Sequence, residues 1–364
     1  MIRTRLFLLS MIVGNLMHSP FVFSLHILHL SFHKGCINEI NFIAEKLDIQ
    51  VTSFFIPDIA PGEWDGYASG NALYNVGHKR AACIWNKHKD YFNQFDAVIT
   101  SDTAPLSRIF LQNNYTKPLI VWICNRFDYC DTASLDCDFP DQEYYQLLSA
   151  ASQKKNVYLV PYTAFESFYA LQKGVACNRD VIKPIGFCAS CDGSSAISSY
   201  VNRQETFFIP PYLNDVSVDL EEQCSLLGIL AYRGRYNGPY DLADFKGIIH
   251  APYAWSNVAF FENTQQGIPY FVPSVTLMQE WHAQGIIWWQ NNIFKSHYQL
   301  SEWYNAENSE IITYFDSWQD LKNNIELTDF VALRAKIKQY AGRHVDIMLS
   351  RWRAIFDEII TCSI

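Results

Sequence analysis

The chain has 364 residues and a mass of 42.0 kDa, more than one hydrophobic core usually serves, so two domains are expected. With 49% hydrophobic and 18% charged residues it is too apolar for a disordered chain. A formal net charge of −9, with no long run of Lys or Arg, speaks against nucleic acid as a partner, because the phosphate backbone requires a basic face.

Residues 1–24 read as a targeting segment. Arg3 and Arg5 precede the apolar stretch from Leu6 to Val13, and Val22-Phe23-Ser24 is an acceptable cleavage signal. Residues 6–25 carry no formal charge and are long enough for an uncleaved membrane anchor, although Asn15, His18 and Pro20 suit one poorly. Secretory-pathway lumen or membrane association is the expected location, with the cytoplasmic membrane face as the alternative. The 10 cysteines permit disulfides in an exported chain. Cys188 and Cys191 have C-x-x-C spacing, but no second pair completes a zinc site, so no metal is expected.

A strand, His26–Phe32, is followed by a helix, Cys36–Leu47, and a strand, Gln50–Ile56. Further strands are predicted at Asp96–Thr100, Pro118–Cys124 and Asn156–Val160, with a helix from Phe165. Each strand runs into polar residues at its carboxyl end, where open α/β sheets bind ligands. The Ser-, Gly- and Asp-containing stretch Cys188–Arg203 separates this unit (25–200) from a second (201–330). There the alternation restarts with strand Thr206–Ile209, helix Val218–Leu227, a loop Tyr232–Pro239, a short helix Asp241–Phe245 and strand Gly247–His250. Helix Asn257–Gln266 and strand Ile268–Val272 follow. The tail, 331–364, carries two amphipathic helical patterns.

The segment His250–Ser274 concentrates the chemistry. A buried strand delivers Tyr253 and Ser256 to the sheet edge, and a helix starts at Ser256 or Asn257 with its free N–H groups facing the cleft, a place to hold a diphosphate. Glu262 is the only acidic residue on that helix, and its carboxylate is suited to accept from a ribose diol.

Glu262-Asn-Thr-Gln-Gln-Gly267-Ile-Pro269 resembles the E-x-x-x-x-G-x-P donor-site signature of GT-B glycosyltransferases. The resemblance implies an α/β fold of two Rossmann-like domains facing a cleft, C-terminal helices crossing back to the first domain, and a ribose-holding role for Glu262. The specific match covers about twenty-five residues, although the whole chain from Leu25 can be laid on the plan. Many retaining members carry a second Glu eight positions earlier; this chain has Ala254, which puts that subfamily's mechanism in doubt.

Arg233 and Arg235, in a Gly-rich loop, and Asn214, after a strand end, are the other donor-binding candidates. His33 and Asp102, at strand ends of the first domain, are the candidates for the base that an inverting transfer needs, ahead of Asp128. The expected function is sugar transfer from a nucleotide-sugar to an acceptor hydroxyl on a glycan, protein or lipid, with no cofactor. An exported, non-catalytic, two-lobed binding protein is the alternative.

Overall fold

The computed structural model describes residues 25–56, 76–124, 127–128, 142–188, 197, 201–290 and 293–363. The targeting segment 1–24 and most of Cys188–Arg203 therefore lie outside the described residues.

The first domain contains β1 (His26–Ser31), α1 (Lys34–Leu47), β2 (Gln50–Phe55), α2 (His78–Phe92), β3 (Ala97–Ser101), β4 (Leu119–Ile123), α3 (Gln142–Ala151), β5 (Val157–Pro161) and α4 (Ala164–Gln172). The second contains β6 (Phe207–Ile209), α5 (Leu213–Ser217), α6 (Leu220–Leu226), β7 (Ala231–Arg233), β8 (Gly247–Ile249), α7 (Val258–Gln265), β9 (Tyr270–Pro273), α8 (Val275–Ala283), β10 (Ile312–Phe315) and α9 (Trp318–Leu327). Strands β3, β4 and β5 are buried at every position, as the near-continuous apolar runs Ala-Val-Ile, Leu-Ile-Val-Trp-Ile and Val-Tyr-Leu-Val require of a sheet covered on both faces. The edge strand β2, Gln-Val-Thr-Ser-Phe-Phe, is only half-buried.

Both sheets are five-stranded and parallel, with orders β2-β1-β3-β4-β5 and β10-β9-β8-β6-β7. Counted from its own first strand, each domain has the same order, with its reversal between first and third strands. In open α/β sheets that reversal opens a crevice at the carboxyl ends. The two crevices lie at β1/β3 and β6/β8, and the sheet division falls between Pro161 and Phe207.

The second domain and the tail depart from expectation in five places. The short helix expected at Asp241–Phe245 is a single 3-10 turn at Pro239–Asp241 followed by turns. The predicted helix Val218–Leu227 is α6, Leu220–Leu226, and an unanticipated helix α5, Leu213–Ser217, precedes it; the two are separated at Asp219, whose φ of +50° is left-handed. Part of the expected loop Tyr232–Pro239 belongs to β7, a strand too short to show alternation. Strand β10 and helices α8 and α9, between Ser274 and Thr328, were not anticipated. The tail is one helix, α10 (Phe330–Ser363), not two.

Helix α10 joins the domains. Early in the helix, the Arg334 guanidinium donates to the carbonyls of Ala243 (3.2 Å) and Gly267 (3.4 Å) in the second domain. Further along, Met348, Trp352, Ile355, Phe356 and Ile359 share a buried cluster with Ile27, Ile99, Trp122 and Val160 of the first sheet. This spacing of 4, 3, 1 and 3 is one stripe of a helix, and its apolar burial outweighs the ~1 kcal/mol cost of Gly342 within the helix.

A strap, residues 181–187, runs between the domains under α10. His344 donates from Nε2 to the Pro184 carbonyl at 2.7 Å, and Gln265 of α7 donates to Ile185 O at 2.7 Å. Lys183 pairs with the second domain's Glu302 (2.9 Å) and Glu307 (2.7 Å). From α1, the fully buried Glu39 carboxylate accepts the N–H groups of Ile185 (2.9 Å), Gly186 (2.6 Å) and Phe187 (2.6 Å).

Candidate functional site

A cleft of about 460 Å³ opens between the two crevices. From the first domain it is lined by His33 and Cys36 after β1, Asp102 after β3, Cys124 after β4 and Tyr162 after β5. From the second it is lined by Tyr212 after β6, the Tyr253–Ala259 segment between β8 and α7, Glu262, and Trp288 and Gln290.

His33 is the N-cap of α1, and its backbone N–H donates to Ser31 Oγ at 3.0 Å. Asp102 is buried and holds a φ of +24°, a strained value for a residue with a side chain; such strain collects at sites where the surroundings fix the conformation. Its carbonyl accepts from Phe32 N–H at 3.0 Å, tying the ends of β1 and β3 together beside the cleft.

On the opposite wall Ser256 is fully buried, and Asn257 caps α7 without a side-chain cap hydrogen bond. The first helical turn, Val258 and Ala259, therefore presents its N–H end to the cleft. Glu262 is half-buried one turn on; burial raises its carboxyl to about 6, and His33 opposes that shift from across the cleft. Gly267 has a φ of +71°, and a Cβ there would lie 2.9 Å from Lys338 Cε and 3.2 Å from the Arg334 carbonyl. The signature glycine is thus required twice, by the left-handed turn ending α7 and by the passage of α10. Gly186 of the strap makes a second close approach: its φ is +87°, and a Cβ would lie 2.7 Å from the Glu262 amide nitrogen. Glu39 grips the strap, and the strap lies against the backbone that carries Glu262.

Of the predicted residues, His33, Asp102, Tyr253, Ser256, Asn257 and Glu262 meet in this one cleft, and Ala254 lines it at the position of the absent second Glu. Three donor candidates do not line it. Arg233 is exposed and pairs with Glu221 at 3.0 Å, and Arg235 is exposed on the same loop, because the short strand β7 carries the loop to the sheet edge. Asn214 is fully buried, and its amide bridges the carbonyls of Pro252 (2.7 Å) and Trp288 (2.7 Å) while accepting from Trp288 N–H (2.9 Å). It fixes the two segments that form the cleft wall. Asp128 also lies elsewhere, buried and accepting from the hydroxyls of Tyr145 (2.9 Å) and Tyr169 (3.0 Å).

Sequence reasoning missed Cys36, Cys124, Tyr162, Tyr212, Trp288 and Gln290. The strand-end rule reached Cys124, Tyr162 and Tyr212 without singling them out; Trp288 and Gln290 arrive through a loop that carries no motif. Tyr212 and Tyr253 lie 5.2 Å apart by ring centroid, and Tyr253 stacks on Trp288 at 6.4 Å and 27°. No Lys or Arg is among the described lining residues. Among the described residues no group of three or more His, Cys, Asp or Glu is placed to hold a metal ion, and no helix is long and apolar enough to cross a membrane. The seven described cysteines are free thiols.

No protein-family model matches the chain, and no curated protein matches it. Solved structures do resemble it. A UDP-N-acetylglucosamine 2-epimerase superposes with a TM-score of 0.51 at 10% identity, covering 90% of this chain and 96% of that one. Arabidopsis thaliana UGT89C1, solved with UDP-L-rhamnose, gives 0.47 at 9% identity over 90% and 98%. CalG4, the calicheamicin glycosyltransferase, gives 0.40 at 8% over 93% and 99%. At such identities likeness speaks to fold alone, and only the first superposition is close enough to carry that argument. Together with the paired parallel sheets, the cleft at their switch points and the returning C-terminal helix, it establishes that the chain has the GT-B fold.

Proposed function

We propose that the chain is a glycosyltransferase that moves a sugar from a nucleotide-sugar donor to an acceptor hydroxyl. The observation that carries this reading is the placement of Glu262, one turn behind the open N-terminal end of α7, across one cleft from His33 and Asp102. Glu262 in its ionised form accepts from the ribose hydroxyls, and the first-turn N–H groups of α7 face the diphosphate. With no Lys or Arg in the described lining, those N–H groups are the positive feature available to the leaving group. His33 or Asp102 takes the proton of the acceptor hydroxyl as its oxygen attacks the anomeric carbon and the nucleoside diphosphate departs. The aromatic wall of Tyr212, Tyr253 and Trp288 offers faces for a base or a sugar ring. The apolar segment ahead of residue 25 supports a secretory-pathway or membrane-associated setting for a glycan, protein or lipid acceptor.

The test is a thermal-shift screen against nucleotides and nucleotide-sugars, followed by product analysis. A ligand at a hundredfold excess over its Kd adds about 2.7 kcal/mol of stability. No shift with any nucleotide ends the donor-site reading. Binding of a nucleotide-sugar without transfer to any hydroxyl leaves the binding-protein alternative in its place.

A further inference from the structure

We propose that Cys36 and Cys124 form a reversible dithiol–disulfide pair in the wall of the cleft, with Cys36 the residue that low-molecular-weight disulfides modify. Cys36 is the third residue of α1, at the positive end of that helix, and Cys124 directly follows β4. Both line the cleft, are otherwise buried in one cluster, and stand in hydrogen-bonding contact, while the Cys124 thiol also reaches the Trp122 carbonyl at 3.4 Å. His33, three residues earlier, also hydrogen-bonds the Cys36 sulfur. The other titratable groups facing the pair are Asp102, Glu39 and Tyr162.

The two thiols are unequal in the way an attacking and a resolving cysteine are. The hydrogen-bonding contact with Cys124, with a smaller contribution from His33 and against burial, brings Cys36 down to about 7. Burial first, then the same hydrogen bond, holds Cys124 well above the ordinary thiol range. Thiolate at Cys36 is thus populated near neutral pH with its proton-bearing partner already in contact. Cys177 and Cys224, which burial pushes up to about 12, have no such poise.

The chemistry is a two-step exchange. The Cys36 thiolate attacks one sulfur of a small disulfide, forming a mixed disulfide and releasing one thiolate, which takes up the proton that Cys36 had lost. Cys124 then attacks Cys36 Sγ, a second small thiol departs with the Cys124 proton, and the protein gains one S–S bond. The small disulfide is the oxidant: it is reduced to two thiols as the cysteine pair is oxidised. An S–S bond of about 2.05 Å draws the sulfurs closer than any hydrogen bond. It shifts the first turn of α1, and His33 with it, relative to β4. The resulting loss of ligand binding rests on the function proposed above; disulfide formation does not.

The experiment treats the full chain with oxidised glutathione near neutral pH, alkylates the remaining thiols and maps disulfides by mass spectrometry without reduction. The expected product is a Cys36–Cys124 linked peptide that dithiothreitol removes. Cys124→Ser should stop at a glutathione adduct on Cys36, and Cys36→Ser should leave Cys124 unmodified under the same dose. The proposal is overturned if Cys36 and Cys124 are both alkylated while the exposed Cys83 and Cys362 have taken up glutathione. In a parallel arm, nucleotide affinity should fall at least tenfold in the oxidised protein and return on reduction. A linked pair with unchanged affinity upholds the thiol exchange and counts against the placing of nucleotide in this cleft.

Discussion

Trp352 of the C-terminal helix lies edge-on against Trp122 of strand β4 in the first sheet, ring centroids 5.6 Å apart at 79°, and both side chains are fully buried. This contact is the pin by which a helix that begins on the second domain is held to the first. Trp352→Ala should cost about 3–5 kcal/mol, the usual range for deleting a buried aromatic. The measurement is urea unfolding followed alongside limited proteolysis. A loss below about 1 kcal/mol, the level of an ordinary surface substitution, would show that α10 is only loosely held there.

Glu39→Gln tests the grip on the strap. The side chain accepts from three N–H groups, and burial raises its carboxyl to about 8 even against their pull. An amide keeps one oxygen and turns an NH2 toward a backbone donor, leaving a buried N–H unsatisfied at about 1–3 kcal/mol. Stability should fall by that amount, and nucleotide affinity should fall with it, because Gly186 lies against the backbone at Glu262. Unchanged affinity in a folded, destabilised Glu39→Gln would separate the strap from the site.

The sheet of the first domain was legible in the sequence because buried parallel strands are written as unbroken apolar runs such as Leu119–Ile123. The Glu262–Pro269 segment was legible for a different reason: helix start, carboxylate and left-handed glycine are each local requirements. What failed was longer in range. Arg233 and Arg235 have suitable chemistry for a diphosphate, but strand order decides whether a loop faces a cleft, and β7 is an edge strand. Asn214 was drawn to the right strand end, yet its amide is taken up by three hydrogen bonds to Pro252 and Trp288, partners 38 and 74 residues away. The tail's two apolar patterns belong to one continuous helix, whose burial on both domains carries it across Gly342.

Acid should destabilise the protein through two buried histidines. Burial lowers His29 from 6.5 to about 3 and His344 from 6.5 to about 4, so the folded state holds both neutral. A depressed folded pKa means that the unfolded chain binds the proton more tightly. The contribution is whole above about 6.5 and is lost as pH falls toward 4. His344→Gln retains a donor for the Pro184 carbonyl, 2.7 Å away in the parent, and removes the titration. Its unfolding free energy should decline less steeply than the parent's over that window, by up to ~3 kcal/mol at the acid limit. Parallel slopes for the two proteins would place the acid sensitivity elsewhere.

Arg233→Ala and Glu262→Gln should separate a surface ion pair from the donor site. The Arg233–Glu221 pair is exposed, worth about 1 kcal/mol or less, and lies outside the cleft, so its loss should leave nucleotide affinity unchanged. Glu262 carries two consequences of opposite sign. Burial raises its folded carboxyl from 4.5 to about 6, so its stabilising contribution is whole below 4.5 and lost as pH rises through about 6; ionised, it costs the free protein up to ~2 kcal/mol. Glu262→Gln should therefore raise the unfolding midpoint above pH 6 while changing it little near pH 4.5, in the absence of ligand. Ribose binding needs the ionised form, whose charge-assisted hydrogen bonds are worth roughly 1.5–3 kcal/mol each, so nucleotide affinity should fall by about ten- to a hundredfold. For the same reason the parent's affinity should strengthen as pH rises through about 6, and the variant's should not follow it. Calorimetric titration at two pH values reads both effects on one ligand. A Glu262→Gln protein that is more stable and binds the nucleotide as tightly as the parent would reduce Glu262 to a desolvated helix residue and remove the donor-site assignment.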